Sequence, residues 1–420
     1  MFEIANTRET KLLKPMSLKH NFSWTFVGNV IYATSQWGIL TSLAKLGTPA
    51  TVGQYALGLA ITAPIFMLFN LQLRAVQATD AKDTYEFGHY FGLRLVTSLI
   101  AIFLASVIAF IGHYDVQTSW IIVLIALSKG IESISDIVFG LLQKHERMDR
   151  IALSQILKGP LSLVVLAIIL WLTGSLISSM IGLIVTWLSL LVFYDLANAR
   201  YFARVFPQMN WGRLWRLVKL SLPLGIVMML VSLNPNIPRY FIEGHLGADQ
   251  LGYFAAITYI MVAGNTVVNA LGQSASPRLA KLYADRRVDE YKRLLRRLVI
   301  VGICLGVAGI ALVLLVGEHI LSLLYTKEYA DYNSIFAIVM TSAAIGFVSS
   351  FLGYSMTAAR VFKVQPIING IVTLTSLFFS FLLIPSKGLE GAAYTLVITS
   401  TVKLLGSLSA NLFIVFRNNK

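Results

Sequence analysis

Twelve stretches of this chain are each apolar over about the 20 residues that a helix needs to cross a hydrocarbon core. They fall near 22–44, 53–76, 91–112, 119–142, 152–173, 175–198, 218–243, 250–276, 298–317, 333–358, 364–384 and 389–415. Every backbone amide in lipid needs a partner within its own segment, so spans of this length are helices. The alternating segments of about ten residues that build a membrane barrel are absent. The reading is an all-α integral membrane protein of about 12 transmembrane helices. With 56% of 420 residues hydrophobic and 13% charged, the connections average about 14 residues, which leaves no room for a soluble catalytic domain.

The formal charge of +14 belongs to topology. With the N-terminus in the cytoplasm, 28 of the 34 Lys and Arg fall in the cytoplasmic windows, Arg94 and Lys158 among them. Lys45, Arg239, Lys327 and Lys387 fall on the opposite face, and Lys129 and Lys403 lie within spans. That asymmetry places both termini in the cytoplasm. No nucleic-acid module is present to use the charge otherwise. The single cysteine, Cys304, excludes an intrachain disulfide. The six His make no metal-ligand spacing, and no phosphate-binding glycine loop with Lys-Ser/Thr occurs. No cofactor is expected, and the chain reads as a non-enzyme. The apolar stretch from Phe22 lacks the short core and small-residue cleavage site of a signal peptide, and reads as an uncleaved first helix.

Gly53-Gln54-Tyr55-Ala56 follows Leu46-Gly47, and Gly252-Tyr253-Phe254-Ala255 follows Leu246-Gly247, with Asn70 opposite Asn269. The chain therefore divides into a cytoplasmic tail (1–20), a six-helix bundle (21–200), a cytoplasmic connection (201–217), a second six-helix bundle (218–415) and a short cytoplasmic tail (416–420). Two halves of six spans enter from the same side, which predicts parallel repeats around a central cavity.

Polar groups inside spans are costly unless they face a cavity or a partner. Lys129, Glu132 and Asp136 share one face of span four, and Lys403 sits near the middle of span twelve. Asp195 ends span six, Arg74 ends span two, and Arg239 follows the proline-rich Asn234-Pro235-Asn236-Ile237-Pro238. Thr25, Asn29, Tyr32 and Gln36 form a stripe on span one, matched by Asn265, Asn269 and Gln273 on span eight. Two readings stay open for these groups. They line a hydrated cavity, or they serve as intrahelical ion pairs and interhelical hydrogen bonds that fix packing.

The chain resembles the polysaccharide transporters of the multidrug/oligosaccharidyl-lipid/polysaccharide exporter (MOP) superfamily, the Wzx-type flippases of lipid-linked O-antigen and related units. The residues that carry the resemblance are Asn21 to Trp24, Gly28-Asn29 and Gln36-Trp37; Leu46 to Phe66 with LQLRAVQATD after it; the run from Glu132 to Ala152; FYDLANAR from Phe193; and Pro238 to Tyr283. The resemblance implies a pair of six-helix bundles that export a polyprenyl-diphosphate-linked glycan by alternating access from the bacterial cytoplasmic (inner) membrane. On that footing Lys129, Lys403, Arg74 and Arg239 are expected to hold the diphosphate. Asn29, Tyr32, Gln36, Asn265, Asn269 and Gln273 are expected to meet sugar hydroxyls. Glu132, Asp136 and Asp195 are expected to couple transport to H+ or Na+. Pro64, Pro223, Pro235 and Pro238 are expected to break helices and let the bundles rock. Expected partners are membrane lipid, a polysaccharide polymerase and glycosyltransferases. Two other functions stay open: a cation-coupled multidrug exporter of the same superfamily, and a non-transporting membrane scaffold for polysaccharide assembly.

Overall fold

A computed structural model of the protein describes residues 16, 18–80, 84–361 and 364–418. The N-terminal tail before Met16, and Lys82 and Lys363 of the topology count, lie outside the described residues. Among the described residues the regular structure is all helical, with no strand. The helices are α1 (Leu18–Leu46), α2 (Pro49–Phe69), the short α3 (Leu73–Thr79), α4 (Phe87–Ile111), α5 (Val116–Lys144), α6 (Met148–Thr173) and α7 (Leu176–Leu190). A π-helical turn, Leu191–Asp195, and a last α turn, Leu196–Ala199, prolong α7. The long run Trp211–Ala284 is two helices, α8 (211–246) and α9 (248–284), separated at Gly247 (φ 85°, ψ 177°). Then come α10 (Val288–Leu324) and α11 (Asn333–Ala358). The run Val364–Asn418 likewise divides at Gly388 (φ 59°, ψ −137°) into α12 (364–387) and α13 (389–418). Both break residues have positive φ combined with a ψ that an L side chain tolerates poorly, so glycine is the residue that fits.

Among the described residues, eight helical stretches are long and apolar enough to cross a membrane, and two of these are the pairs broken at Gly247 and Gly388. Helices α1 and α5, 29 residues each, have the length but carry the polar stripe and the Lys129, Glu132, Asp136 face. The helices overrun the apolar stretches, since α10 begins at Val288 and α8 at Trp211. Polar flanks continue a helix past the lipid wherever nothing stops them.

Two expectations change. The prolines do not interrupt helices: α2 runs through Pro64, and helical dihedrals persist through Pro223, Pro235 and Pro238 up to Gly247. Neighbouring helices and local adjustment can re-satisfy the carbonyl a proline frees in a membrane helix, while a glycine with φ 85° cannot continue one. Span two is also not one helix to Val76. Leu71 and Gln72 both adopt φ 51°, a left-handed conformation that costs about 1–2 kcal/mol for each non-glycine residue, and this turn starts α3 in a new direction.

The chain packs as two compact units. The first comprises Met1–Gly47 and Ile61–Met229; the second comprises Thr48–Ala60 and Leu230–Lys420. In the first, α1 lies on α6 and α4 on α5, around a core of Leu73, Tyr90, Ile137, Val138, Leu142 and Leu217, all below a tenth exposed. In the second, α11 packs on α10 and on the α12–α13 run, and Tyr291 of α10 bonds to Ser355 of α11 through its hydroxyl at 2.5 Å. The first turns of α2 belong to the second unit. There Gly53 and Gly252 lie against one another's helices so closely that a Cβ on Gly53 would overlap the Ala248 carbonyl, and one on Gly252 would overlap the Pro49 carbonyl. These are the paired positions of the internal repeat, and small residues are what lets two membrane helices approach to backbone contact.

Candidate functional site

In the first unit the charges within the spans are paired. On α5, the Lys129 Nζ donates to Glu132 Oε2 at 2.7 Å, and the Tyr32 hydroxyl of α1 donates to Glu132 Oε1 at 2.9 Å. One turn on, Asp136 accepts from two guanidinium groups, Arg74 Nη1 at 3.3 Å and Arg94 Nη2 at 3.3 Å. The left-handed turn before α3 brings Arg74 to this position, where it also donates to Gln143 Oε1 at 3.0 Å and lies 5.6 Å from the Phe139 ring. Arg94 is fully buried. It also donates to Asn70 Oδ1, which accepts from Ser133 Oγ at 2.8 Å as well. A third cluster joins α5, α6 and the end of α7. Asp195, 1% exposed, accepts from Ser154 Oγ and Ser135 Oγ, both at 2.7 Å, and Lys158 Nζ stands 3.5 Å away. Lys158 also donates to Ser135 Oγ at 2.9 Å. Asp195 closes the π-helical turn, and the extra residue of such a turn changes which face a side chain presents. A carboxylate in hydrocarbon is tolerable only with such partners, and Glu132, Asp136 and Asp195 all have them.

Sequence reasoning missed Arg94 and Lys158. Both fall in windows that the positive-inside count assigns to the cytoplasmic flank, yet both are buried and ion-paired. The signal was available, since each lies inside its own apolar stretch, fourth in 91–112 and seventh in 152–173. Of the stripe on α1, Tyr32 reaches Glu132, Gln36 holds a buried Nε2 without a partner, and Asn29 is exposed.

The second unit is built differently. Arg239 of α8 donates to Asn236 Oδ1 at 3.1 Å and Thr258 Oγ1 at 3.4 Å, and its Nε is buried without a partner. Lys403 of α13 is half-buried and, among the described residues, has no hydrogen bond or ion pair. Both line one cavity of about 410 Å³, with Asn234, Asn265, Thr399 and Ser400 also on its wall. A second cavity of about 250 Å³ is lined by Lys403, Asn269, Ser349, Tyr354, Gln365 and Ser407. The two share Val231, Ser350, Asn369 and Lys403. Among the described residues, no Asp or Glu lines either one. The structure thus gathers Arg239, Lys403, Asn265 and Asn269 of the expected site into linked cavities, while Gln273 is exposed and lines neither. Asn234, Tyr354, Gln365 and Asn369 join them unforeseen. Cavity walls built from α8, α9, α11, α12 and α13 have no common spacing in sequence to reveal them.

Outside the spans, Arg147 grips Asp149 through two bonds, Nε to Oδ1 at 2.9 Å and Nη2 to Oδ2 at 2.7 Å. Partial burial raises the Asp149 carboxyl, but this pairing outweighs it and holds the group below its ordinary value.

The all-α fold is shared with solved membrane proteins. The chain superimposes on the inward-facing conformation of a multidrug resistance MATE family transporter of the MOP superfamily with a TM-score of 0.70, covering 93% of this chain and 98% of that one at 14% identity. It superimposes on the lipid II flippase MurJ in an inward closed conformation with a TM-score of 0.72, covering 94% and 90% at 12% identity. The family described as "Polysaccharide biosynthesis protein" matches residues 18–283, and the MatE family matches 223–383. The capsular polysaccharide biosynthesis protein CapF of Staphylococcus aureus is 33% identical over 389 residues, 92% of this chain and 97% of that protein. The chain belongs to the polysaccharide biosynthesis protein family.

Proposed function

We propose that this protein is a flippase that carries a polyprenyl-diphosphate-linked glycan, a repeat unit of a surface polysaccharide, across the bacterial cytoplasmic membrane, with both termini in the cytoplasm. The observation that carries the reading is the cavity of the second unit, where Arg239 and Lys403 stand with no carboxylate among the described residues of the wall. A cation left without a counter-ion at membrane depth is expensive, and a diphosphate is the kind of group that repays it. Neutral amides and hydroxyls around these two cations suit a glycan.

In the first unit, Arg74, Lys129, Glu132, Asp136 and Asp195 act mainly within ion pairs, so we assign the diphosphate to Lys403 and Arg239 first. For coupling, the carboxylate pairs suit H+ better than Na+. A sodium ion at Asp195 would have to displace the Lys158 ammonium 3.5 Å away, whereas a proton needs no such room. The multidrug reading draws on the likeness to a multidrug MATE transporter, but a carboxylate-free cavity repels organic cations. A capsular product is favoured over O-antigen by the likeness to CapF.

The test is complementation of a deletion strain. Lys403→Ala and Arg239→Ala are expected to abolish surface polysaccharide at normal membrane abundance and leave drug resistance unchanged. Normal polysaccharide together with drug sensitivity in the deletion strain would overturn the proposal.

A further inference from the structure

The two cavities of the second unit differ in chemistry as well as size. The larger, about 410 Å³, contains both cations. The smaller, about 250 Å³, meets the larger at Lys403, Asn369, Ser350 and Val231, and its remaining wall mixes uncharged polar groups with the apolar Met356, Ile368 and the ring of Tyr354. Drug-sized ligands occupy about 300–1,000 Å³, so the smaller cavity has space for one small ring and not for an oligosaccharide.

Its polar wall is supplied from several helices. Ser349 of α11 is 1% exposed and its Oγ has no partner. A buried hydroxyl without a partner is destabilising, a cost that a bound donor or acceptor in the cavity removes. The Tyr354 hydroxyl donates to Asn269 Oδ1 at 3.3 Å, at the long end of hydrogen bonding, and Gln365 Nε2 donates to Thr357 Oγ1 at 3.0 Å. Those contacts occupy the Asn269 oxygen and one Gln365 hydrogen, so the Asn269 amide N–H groups and the Gln365 oxygen stay available. Asn369 donates to the Gln365 carbonyl at 3.0 Å, which likewise leaves its own oxygen open. Donors, acceptors and an orphaned hydroxyl therefore surround a space one ring wide, beside the ammonium that the larger cavity shares.

We infer that the smaller cavity is a subsite for the first monosaccharide of the glycan, the ring attached directly to the diphosphate. This rests on the flippase reading above. With the diphosphate between Arg239 and Lys403, the adjoining ring passes Lys403 into the smaller cavity, where Asn269, Ser349, Gln365 and Asn369 meet its hydroxyl or acetamido groups. The rest of the glycan makes no contact there.

The test uses full-length protein in nanodiscs and two probes, polyprenyl diphosphate alone and polyprenyl diphosphate bearing one N-acetylhexosamine. Wild type is expected to bind the sugar-bearing probe about tenfold more tightly. Asn269→Ala with Gln365→Ala should erase that difference and leave affinity for the bare diphosphate unchanged, whereas Lys403→Ala should weaken both probes equally. A Ser349→Ala variant, which removes a hydroxyl and fills no new space, guards against misfolding of the double variant and should narrow the difference by itself. If the tenfold preference persists in both the double variant and Ser349→Ala, the subsite is refuted while the diphosphate reading stands. If Lys403→Ala leaves both affinities unchanged, the diphosphate reading itself falls, and the subsite with it.

Discussion

Replacing Lys403 with methionine, which keeps its length and removes its charge, separates a binding role from a structural one, because the two predict opposite changes in stability. Lys403 has no ion pair or hydrogen bond among the described residues and lines both cavities of the second unit. A hydrogen bond from a charged group contributes about 1.5–3 kcal/mol. At about 1.4 kcal/mol per tenfold, its loss weakens binding of a polyprenyl-diphosphate glycan by about 10- to 100-fold. Without substrate, the same ammonium is a desolvated charge that nothing offsets. Insertion scales put a lysine at mid-helix at about 2.5–3.5 kcal/mol, and half-burial leaves about 1 kcal/mol of that. Lys403→Met should therefore melt at the wild-type temperature or about 2 °C above it in detergent. Lys129→Met is the control, since it strands Glu132, its partner at 2.7 Å; both side chains are about a third exposed (29% and 32%), so the loss is about 1 kcal/mol. Fluorescence-detected thermal melts with equilibrium binding read both quantities. If Lys403→Met loses stability as Lys129→Met does, the lysine is structural and the reasoning fails.

Three further outcomes follow from the geometry. Lys158→Met strands the buried Asp195 and should cost about 3–5 kcal/mol, whereas Lys158→Met with Asp195→Asn should recover most of it; thermal melts of the single and double variants check this. Gly252→Ala forces a Cβ into the Pro49 carbonyl and should lower the yield of monodisperse protein on size exclusion, while Ala at Gly244, which meets open space, should cost about nothing by this route. The Asp149 carboxylate is held below its usual range by Arg147, so the unfolded chain binds a proton first as pH falls, and the pair stabilises fully at neutral pH. The melting-temperature gap between wild type and Asp149→Asn should be constant from pH 7 to about 5 and close as pH falls below about 4, the ordinary aspartate range.

Helix number and membrane class were legible in the sequence because hydrophobic length is set by the bilayer. Each apolar stretch needs one helix, whatever it packs against. Helix breaks were harder. The prolines drew attention, yet Gly247 and Gly388 make the breaks, since a dihedral angle leaves its mark only as a residue that any helix can also contain. The repeat Gly53 and Gly252 was visible as a match, and its meaning, a backbone contact that admits no side chain, came only with the packing. Lys129, Glu132 and Asp136 share a helix face by spacing, and the structure pairs the first two with one another. Arg94 and Lys158 were absorbed into the topology count because a residue near a span end reads as interfacial until its partner across the bundle, Asp136 or Asp195, is known. Lys403 stood out for the opposite reason, having no acidic neighbour one turn away.

The most direct measurement of the central claim is the rate at which a fluorescent polyprenyl-diphosphate oligosaccharide crosses proteoliposomes containing the purified full-length chain. With wild type, translocation should exceed that of empty liposomes and be competed by excess unlabelled polyprenyl diphosphate. Arg239→Ala with Lys403→Ala should bring it to the empty-liposome rate while the protein stays folded and monodisperse. Translocation at the wild-type rate by that double variant would contradict an anion-binding cavity in the second unit.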